Sequence, residues 1–376
     1  MKNTITRTTA SGEALVSAYL HARANAAGVP LAGTFELTPR CNFSCRMCYV
    51  HENVDPAMEL SAKEWIELGK QCRDAGMLFL LLTGGEPFLR QDFGEIYTHL
   101  RRLGLMVSIN TNASLLTDEL LDVLRRDPPT RINVTLYGAS EQTYQNLCRN
   151  AAFETVKANV LRMKDANLPL KINCSVTPYN AQDIEYIHDF AKSNSLQIQS
   201  TSYMYPPVRV NGGQFGQAPE RFTPEEAAEC MLRCREQLLT PEQLAESAYS
   251  PVEEDCSRDT GDPMACRAGR TSFWVTWNGR MMPCGTFPTE ISYNLRAIGF
   301  PEAWQRIRQD TALVRMPKEC AGCGLKEQCI VCAAACVAET GDTTTKPEYI
   351  CKMIHRLREL TAEKYPQKEK HDEAKS

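Results

Sequence analysis

The stretch Leu31–Tyr49, LAGTFELTPRCNFSCRMCY, opens with an apolar, strand-like run over residues 31–38 and reaches three cysteines, Cys41, Cys45 and Cys48, three residues later. The cysteines therefore stand on a loop that follows a strand. Outward from this point short apolar runs alternate with helical patterns. Strands are predicted over 77–82, 105–110, 131–136, 169–176 and 197–203, and helices over 61–76, 91–103, 117–126, 152–166 and 181–193. Such βα alternation argues for a parallel sheet or barrel. Six strands rather than eight predict an α/β fold built on an open, partial (β/α)6 barrel. In parallel βα architectures the loops after the strands build the active site, which is where the cysteines fall.

The chain has 376 residues, 43% of them hydrophobic, enough to bury a sizeable core and to make two or three domains. A formal net charge of −4 shows no basic excess, so neither nucleic acid nor an anionic membrane is expected as partner. The start, MKNTITRTTASGEALV, lacks the apolar core of a secretion signal, and the longest apolar run, Met77–Leu82, is too short to cross a bilayer. A cytoplasmic location is the expectation. Cytosolic thiols stay reduced, so seventeen cysteines read as metal ligands rather than as a disulfide scaffold.

Residues 1–32 are expected to form a helical extension and 33–205 the barrel. Residues 206–262 form a bridge, rich in Pro and Gly over 205–222 and helical over 224–239. Residues 263–355 hold the second cysteine group. Residues 356–376 are a helix end and a polar tail, PQKEKHDEAKS, expected to be disordered. Within 263–355, TSFWVTWNGRMMPC reads as a hairpin whose Asn278-Gly279 suits a type I′ turn and returns Cys284 towards Cys266.

An ordinary four-iron four-sulfur cluster takes four cysteines. The triad supplies three, which leaves one iron open; the next cysteine, Cys72, lies in a predicted helix. A zinc knuckle completed by His51 is the alternative for the same residues.

CNFSCRMCY at 41–49, followed by LLTGGEP at Leu81–Pro87, resembles the radical S-adenosylmethionine superfamily, and the resemblance covers residues 33 to about 205. It implies that the open iron binds the amino and carboxylate groups of S-adenosylmethionine, which an electron from the cluster splits into methionine and a 5′-deoxyadenosyl radical. Gly84, Gly85 and Glu86 end a strand, where bare backbone lets a ligand approach and main-chain polar groups can hold the methionine ammonium. By position, the resemblance makes Tyr49 a candidate for packing on adenine, or else a plain core aromatic. Asn110 and Asn112 in INTNAS fall where the family reaches ribose or substrate. Thr135 and Arg149 match its polar contacts to the methionine carboxylate; a guanidinium forks onto a carboxylate with two hydrogen bonds. Arg149 as a surface helix residue is the alternative. Tyr137 stands where many relatives carry Asp, so no role passes to that acid.

The later cysteines, Cys266, Cys284, Cys320, Cys323, Cys329, Cys332, Cys336 and Cys351, resemble the SPASM module, in which seven cysteines help hold two further four-iron clusters. The resemblance implies one cluster on Cys320, Cys323, Cys329 and Cys351, and another on Cys266 and Cys284 plus a cysteine after Cys329. The usual place for that last ligand, 333, is Ala; Cys332 is favoured over Cys336. Cys256, or the pair Cys230 and Cys234, are candidates for a fourth ligand, though buried cysteines more often simply pack. A zinc ribbon is the alternative for Cys320/Cys323 and Cys329/Cys332, with only five residues between the pairs. Cys72, Cys148 and Cys174 read as core.

Three four-iron clusters and S-adenosylmethionine are thus the expected cofactors. The expected activity is hydrogen abstraction from a peptide, with auxiliary clusters taking up an electron to give a crosslink, thioether or other oxidation of a ribosomally made peptide. Sulfatase maturation, small-molecule dehydrogenation of a sugar or alcohol, and a zinc-organised binding module are the alternatives. The expected partners are the peptide, an electron donor such as flavodoxin or ferredoxin, and a separate leader-peptide recognition protein, since only about 30 residues precede the barrel.

Overall fold

The structure is a computed structural model that describes residues 15–51, 56–210, 220–249, 261–264, 266–287 and 290–366. Six apolar runs form parallel strands within two residues of their expected bounds: β1 Ala32–Glu36, β2 Phe79–Thr83, β3 Met106–Thr111, β4 Arg131–Thr135, β5 Leu170–Ser175 and β6 Gln197–Thr201. Their alternating burial has one cause. One set of side chains, Phe35, Leu80, Val107, Val134 and Ile172 among them, is buried beneath the helices. The other set, including Thr34, Ser108, Asn110, Asn133 and Asn173, is only part-buried.

The helices are α1 Leu15–Ala27, α2 Ala62–Asp74, α3 Phe93–Arg102, α4 Asp118–Arg126, α5 Glu141–Cys148, α6 Phe153–Asp165, α7 Ile184–Ser193, α8 Pro224–Glu236 and α9 Pro241–Tyr249. Their starts are set by local chemistry. Ser61 with Glu64, and Thr223 with Glu226, close capping boxes at α2 and α8, while Thr117 and Ser140 cap α4 and α5. In α2, Trp65 packs at a tilt against Phe35 of β1 with ring centroids 5.0 Å apart.

The second cysteine region joins the same sheet. Its strands are β7 Ser272–Val275, β8 Arg280–Met282 and β9 Tyr293–Asn294. The order is β9-β8-β7-β1-β2-β3-β4-β5-β6. β7 lies parallel to β1 with Thr34 opposite Trp274, while β2 flanks β1 on the other side with Leu81 opposite Thr34. The sheet ends in β6 at one edge and β9 at the other, so it stays open. A two-residue ladder pairs Val50–His51 with Arg209–Val210.

The β7–β8 turn differs from the expected type I′. That turn needs positive φ at both central residues, and here only Gly279 has it, at 79°. The Gly279 N–H donates to Thr276 O and the Thr276 N–H to Arg280 O, which makes a type I turn closed by a left-handed glycine. Beyond it run α10 Leu295–Leu313, broken at Gly299, then α11 Lys318–Ala321, α12 Ala333–Thr340 and α13 Glu348–Lys364. α13 packs on α8 and α9 and runs through the expected boundary at residue 355. Among the described residues no helix is long and apolar enough to cross a membrane.

Candidate functional site

The cysteine loop is laced to the loops around it. Ser44 and Arg46 N–H groups donate to the carbonyls of Cys148 and Leu147, both at 3.0 Å, at the end of α5. Asn112 Nδ2 donates to Asn42 Oδ1 at 2.9 Å, Asn42 Nδ2 to Ser114 Oγ at 2.8 Å and Asn150 Nδ2 to Asn42 O at 3.1 Å. Before the loop, Arg40 and Thr38 both donate to the part-buried Glu59, at 2.8 and 2.7 Å.

Cys41 lies within electrostatic reach of Cys45 and Cys48. Cys41 is open at the surface of the loop, yet the protein crowding its sulfur pushes the thiol up to about 12. Cys45 is raised further, first by a thiol hydrogen bond with Cys148 and then by burial. Iron is ligated by the thiolate, so a bound cluster would have to supply the positive charge that deprotonates these thiols. Among the described residues no three His, Cys, Asp or Glu side chains converge on the position of a single metal ion. A cluster does not ask for that, because each of its cysteines takes a different iron.

Gly84 and Gly85 lie against the chain just before the triad. A Cβ on Gly85 would stand 2.4 Å from Arg40 O, and one on Gly84 2.7 Å from Thr38 O. The N–H groups of Gly85 and Glu86 donate to Thr38 O and Arg40 O at 2.7 and 2.9 Å; an ammonium, itself a donor, would need the carbonyls of this turn. The Glu86 side chain turns inward and is wholly buried, accepting from Phe88 N, Thr111 Oγ1 and Asn112 N at 3.0, 2.7 and 2.7 Å. Burial pushes its carboxyl up to about 7. Glu86 thus joins the loops after β2 and β3 and has its acceptors engaged.

Asn112 sits with Nδ2 3.8 Å from Cys41 Sγ. Asn110 accepts from Asn133 at 2.7 Å, and Thr135 meets the Tyr137 phenol, which stands near Cys45 and Cys48. Arg149 is exposed and left-handed, φ 57°, at the end of α5. The Tyr49 phenol is held above its ordinary pKa, first by burial and then by Glu36, and it lies within reach of both Cys48 and Cys284. One lumen residue escaped the sequence reading: Asn173 Oδ1, opposite Thr135, is buried without a hydrogen-bond partner among the described residues.

The later cysteines form two groups. Cys320 lies within reach of Cys323, Cys329 and Cys351. Cys284 lies within reach of Cys266 and Cys332. Cys336 is buried in α12 beside Cys320, Cys329 and Cys332. Cys230 and Cys234 face the α8–β6 side, next to each other and, for Cys234, near Ser200. Cys256 and the His51 side chain lie outside the described residues.

A cavity of about 440 Å³ opens beside the triad, its walls including Cys45, Cys48, Arg46, Arg149, Arg221 and Tyr205. The Tyr205 hydroxyl stands 3.5 Å from Cys332 Sγ. Arg46, Arg221 and Tyr205 were not anticipated. The only signal for Tyr205 was its position just past the last parallel strand.

Residues 35–191 match the Radical SAM superfamily. Among relatives, the AdoMet-dependent heme synthase of Methanosarcina barkeri is 26% identical over 84% of this chain and 94% of that protein. The PqqA peptide cyclase of Rhizobium meliloti is 26% identical over 79% of this chain and 80% of its own length. In fold, Streptococcus suis SuiB bound to S-adenosylmethionine superposes with a TM-score of 0.65 at 17% identity, covering 93% of this chain and 83% of SuiB; SuiB has also been solved with its precursor peptide SuiA. The chain therefore carries a Radical SAM superfamily domain over residues 35–191, the stretch that holds the cysteine triad.

Proposed function

We propose that this protein oxidatively modifies a peptide by radical chemistry, with residues 33–205 as the radical domain, 206–262 as a bridge, 263–355 as an auxiliary-cluster domain, and 1–32 and 356–376 as flanking extensions. In this reading Cys41, Cys45 and Cys48 hold one four-iron cluster, Cys320, Cys323, Cys329 and Cys351 a second, and Cys266, Cys284 and Cys332 a third. When bound, these groups and S-adenosylmethionine supply a 5′-deoxyadenosyl radical that takes hydrogen from an unactivated carbon, and an acceptor for the electron left behind. The chain's own residues bind and orient. Arg149 would hold the methionine carboxylate, the Gly84 and Gly85 carbonyls would receive the ammonium, and Asn110, Thr135 and Tyr49 would contact the rest of S-adenosylmethionine. Asn112 and Glu86 hold the triad loop in place.

One observation carries the reading. A single cavity is lined both by Cys45 and Cys48 and by Tyr205, whose hydroxyl meets Cys332, so a substrate there lies between the start of the chemistry and its acceptor. Similarity to a peptide cyclase, and to the fold of SuiB, which has been solved with a precursor peptide, supports a peptide as substrate. An external donor such as flavodoxin or ferredoxin would reduce the first cluster, and a separate protein would present a leader peptide.

The test is anaerobic reconstitution with reductant, S-adenosylmethionine and short peptides encoded beside this gene. Formation of 5′-deoxyadenosine together with a peptide lighter by two hydrogens is the expected result. A brown protein that forms no 5′-deoxyadenosine would sink the proposal. A second reading, a small carboxylate-bearing molecule related to haem, is favoured by the heme synthase similarity and by Arg149 in the cavity wall, the arginines beside it there being paired with Glu220 and Glu339. Turnover of such a molecule, with no peptide turned over, would establish it.

A further inference from the structure

We propose that Tyr205 is a positioning residue whose hydroxyl donates a hydrogen bond to the Cys332 sulfur and raises the reduction potential of the cluster on Cys266, Cys284 and Cys332. The inference rests on the cluster assignment proposed above. Tyr205 Oη stands 3.5 Å from Cys332 Sγ, and the same phenol lies within electrostatic reach of Cys284 and Cys266. A cysteine bound to iron is a thiolate with no proton to give, so the phenol must be the donor. A hydrogen bond to a ligand sulfur favours the more electron-rich, reduced cluster, and such bonds are among the levers that set cluster potentials.

The donor is held in place by the fold. The Tyr205 ring packs edge-on against Tyr203 at 4.9 Å. Tyr203 Oη donates to Glu339 Oε1 at 2.8 Å, Glu339 is paired with Arg221 at 2.7 Å, and the Arg221 guanidinium lies 3.7 Å over the Tyr349 ring. This network ties the segment after β6 to α12 and α13. Because Tyr205 also forms part of the cavity wall with Cys45 and Cys48, a substrate in the cavity touches the group that tunes its acceptor.

The test is redox titration, followed by electron paramagnetic resonance, of the full-length reconstituted protein as wild type, Tyr205→Phe, Tyr203→Phe and Cys332→Ala. Phe at 205 keeps the ring that packs on Tyr203. The expected result is full iron content with one auxiliary midpoint moved to a more negative potential and the other midpoints unmoved. Tyr203→Phe, which leaves the Tyr205 hydroxyl in place but frees its support from Glu339, should move the same midpoint the same way by less. Unmoved midpoints in Tyr205→Phe at full iron content would overturn this inference alone. Unchanged iron content in Cys332→Ala would overturn the cluster assignment and the inference with it.

Discussion

Replacing Arg209 with Met tests whether a buried ion pair clamps the C-terminal strands onto the cysteine-bearing half of the sheet. Arg209 Nη1 and Nη2 donate to Glu36 Oε2 and Oε1 at 2.8 and 2.7 Å, and Trp274 Nε1 donates to Oε2 at 2.9 Å. The two charged side chains are 4% and 1% exposed. Glu36 ends β1, Trp274 belongs to β7, and Arg209 lies past β6, so three distant segments meet on one carboxylate. Losing the guanidinium leaves that carboxylate buried with one donor of three. Truncating one partner of a buried pair costs about 3–5 kcal/mol. Glu86 provides an internal gauge: buried with three hydrogen bonds and no cation, its carboxyl rises from 4.5 to about 7, which is about 3 kcal/mol at roughly 1.4 kcal/mol per pH unit. Arg209→Met should therefore lose about 3 kcal/mol or somewhat more at pH 8. Urea unfolding at pH 8, followed by circular dichroism and tryptophan fluorescence, measures the loss, and hydrogen exchange on β7 localises it. Adding Glu36→Gln, which keeps an acceptor for Trp274, should recover most of the loss. A loss below about 1 kcal/mol in Arg209→Met, or a double variant no more stable than the single, would refute the clamp.

Four further outcomes are expected. Replacing Cys41, Cys45 and Cys48 together with Ala should abolish 5′-deoxyadenosine formation, measured by chromatography under anaerobic reduction. Replacing Cys320 and Cys351 with Ala should spare that cleavage while stopping modified product; product at full rate would make the auxiliary cysteines structural. Gly85→Ala should displace the triad loop, because its Cβ meets backbone oxygens of Arg40 and Pro39 at 2.4 and 2.6 Å, with a stability loss of about 1–3 kcal/mol and lower iron retention on reconstitution. Glu86 has a folded pKa above its unfolded one, so its contribution is full below about pH 4.5 and is lost as pH rises through about 7. Glu86→Gln should remove that part of the pH slope, and an unchanged slope in urea melts would assign it to another group.

The six parallel strands and most of their helices were legible because their signals are local: buried Val, Ile and Leu runs, capping pairs such as Ser61 with Glu64, and Gly-rich turns. The triad was legible too, since three thiols within eight residues need no partner from elsewhere to be recognised. The helices α5 and α9 to α12 were not named in advance, and of α13 only the end was. Their residues are mixed with cysteines, Gly and Pro, and their burial comes from neighbours such as α8 that are distant in sequence.

What the sequence by itself determined is the βα order, the loop that carries Cys41, Cys45 and Cys48, and the type of chemistry those thiols allow. Only the tertiary structure decided that β7 enters the sheet beside β1, and that Cys332 stands near Cys266 and Cys284. It alone turned Glu86 into a brace between loops and brought Tyr205 to the Cys332 sulfur. The reason is physical. Strand and helix periodicities are written over a few residues, whereas pairing across 240 positions, as between Thr34 and Trp274, depends on which faces can be buried together once the whole chain has collapsed.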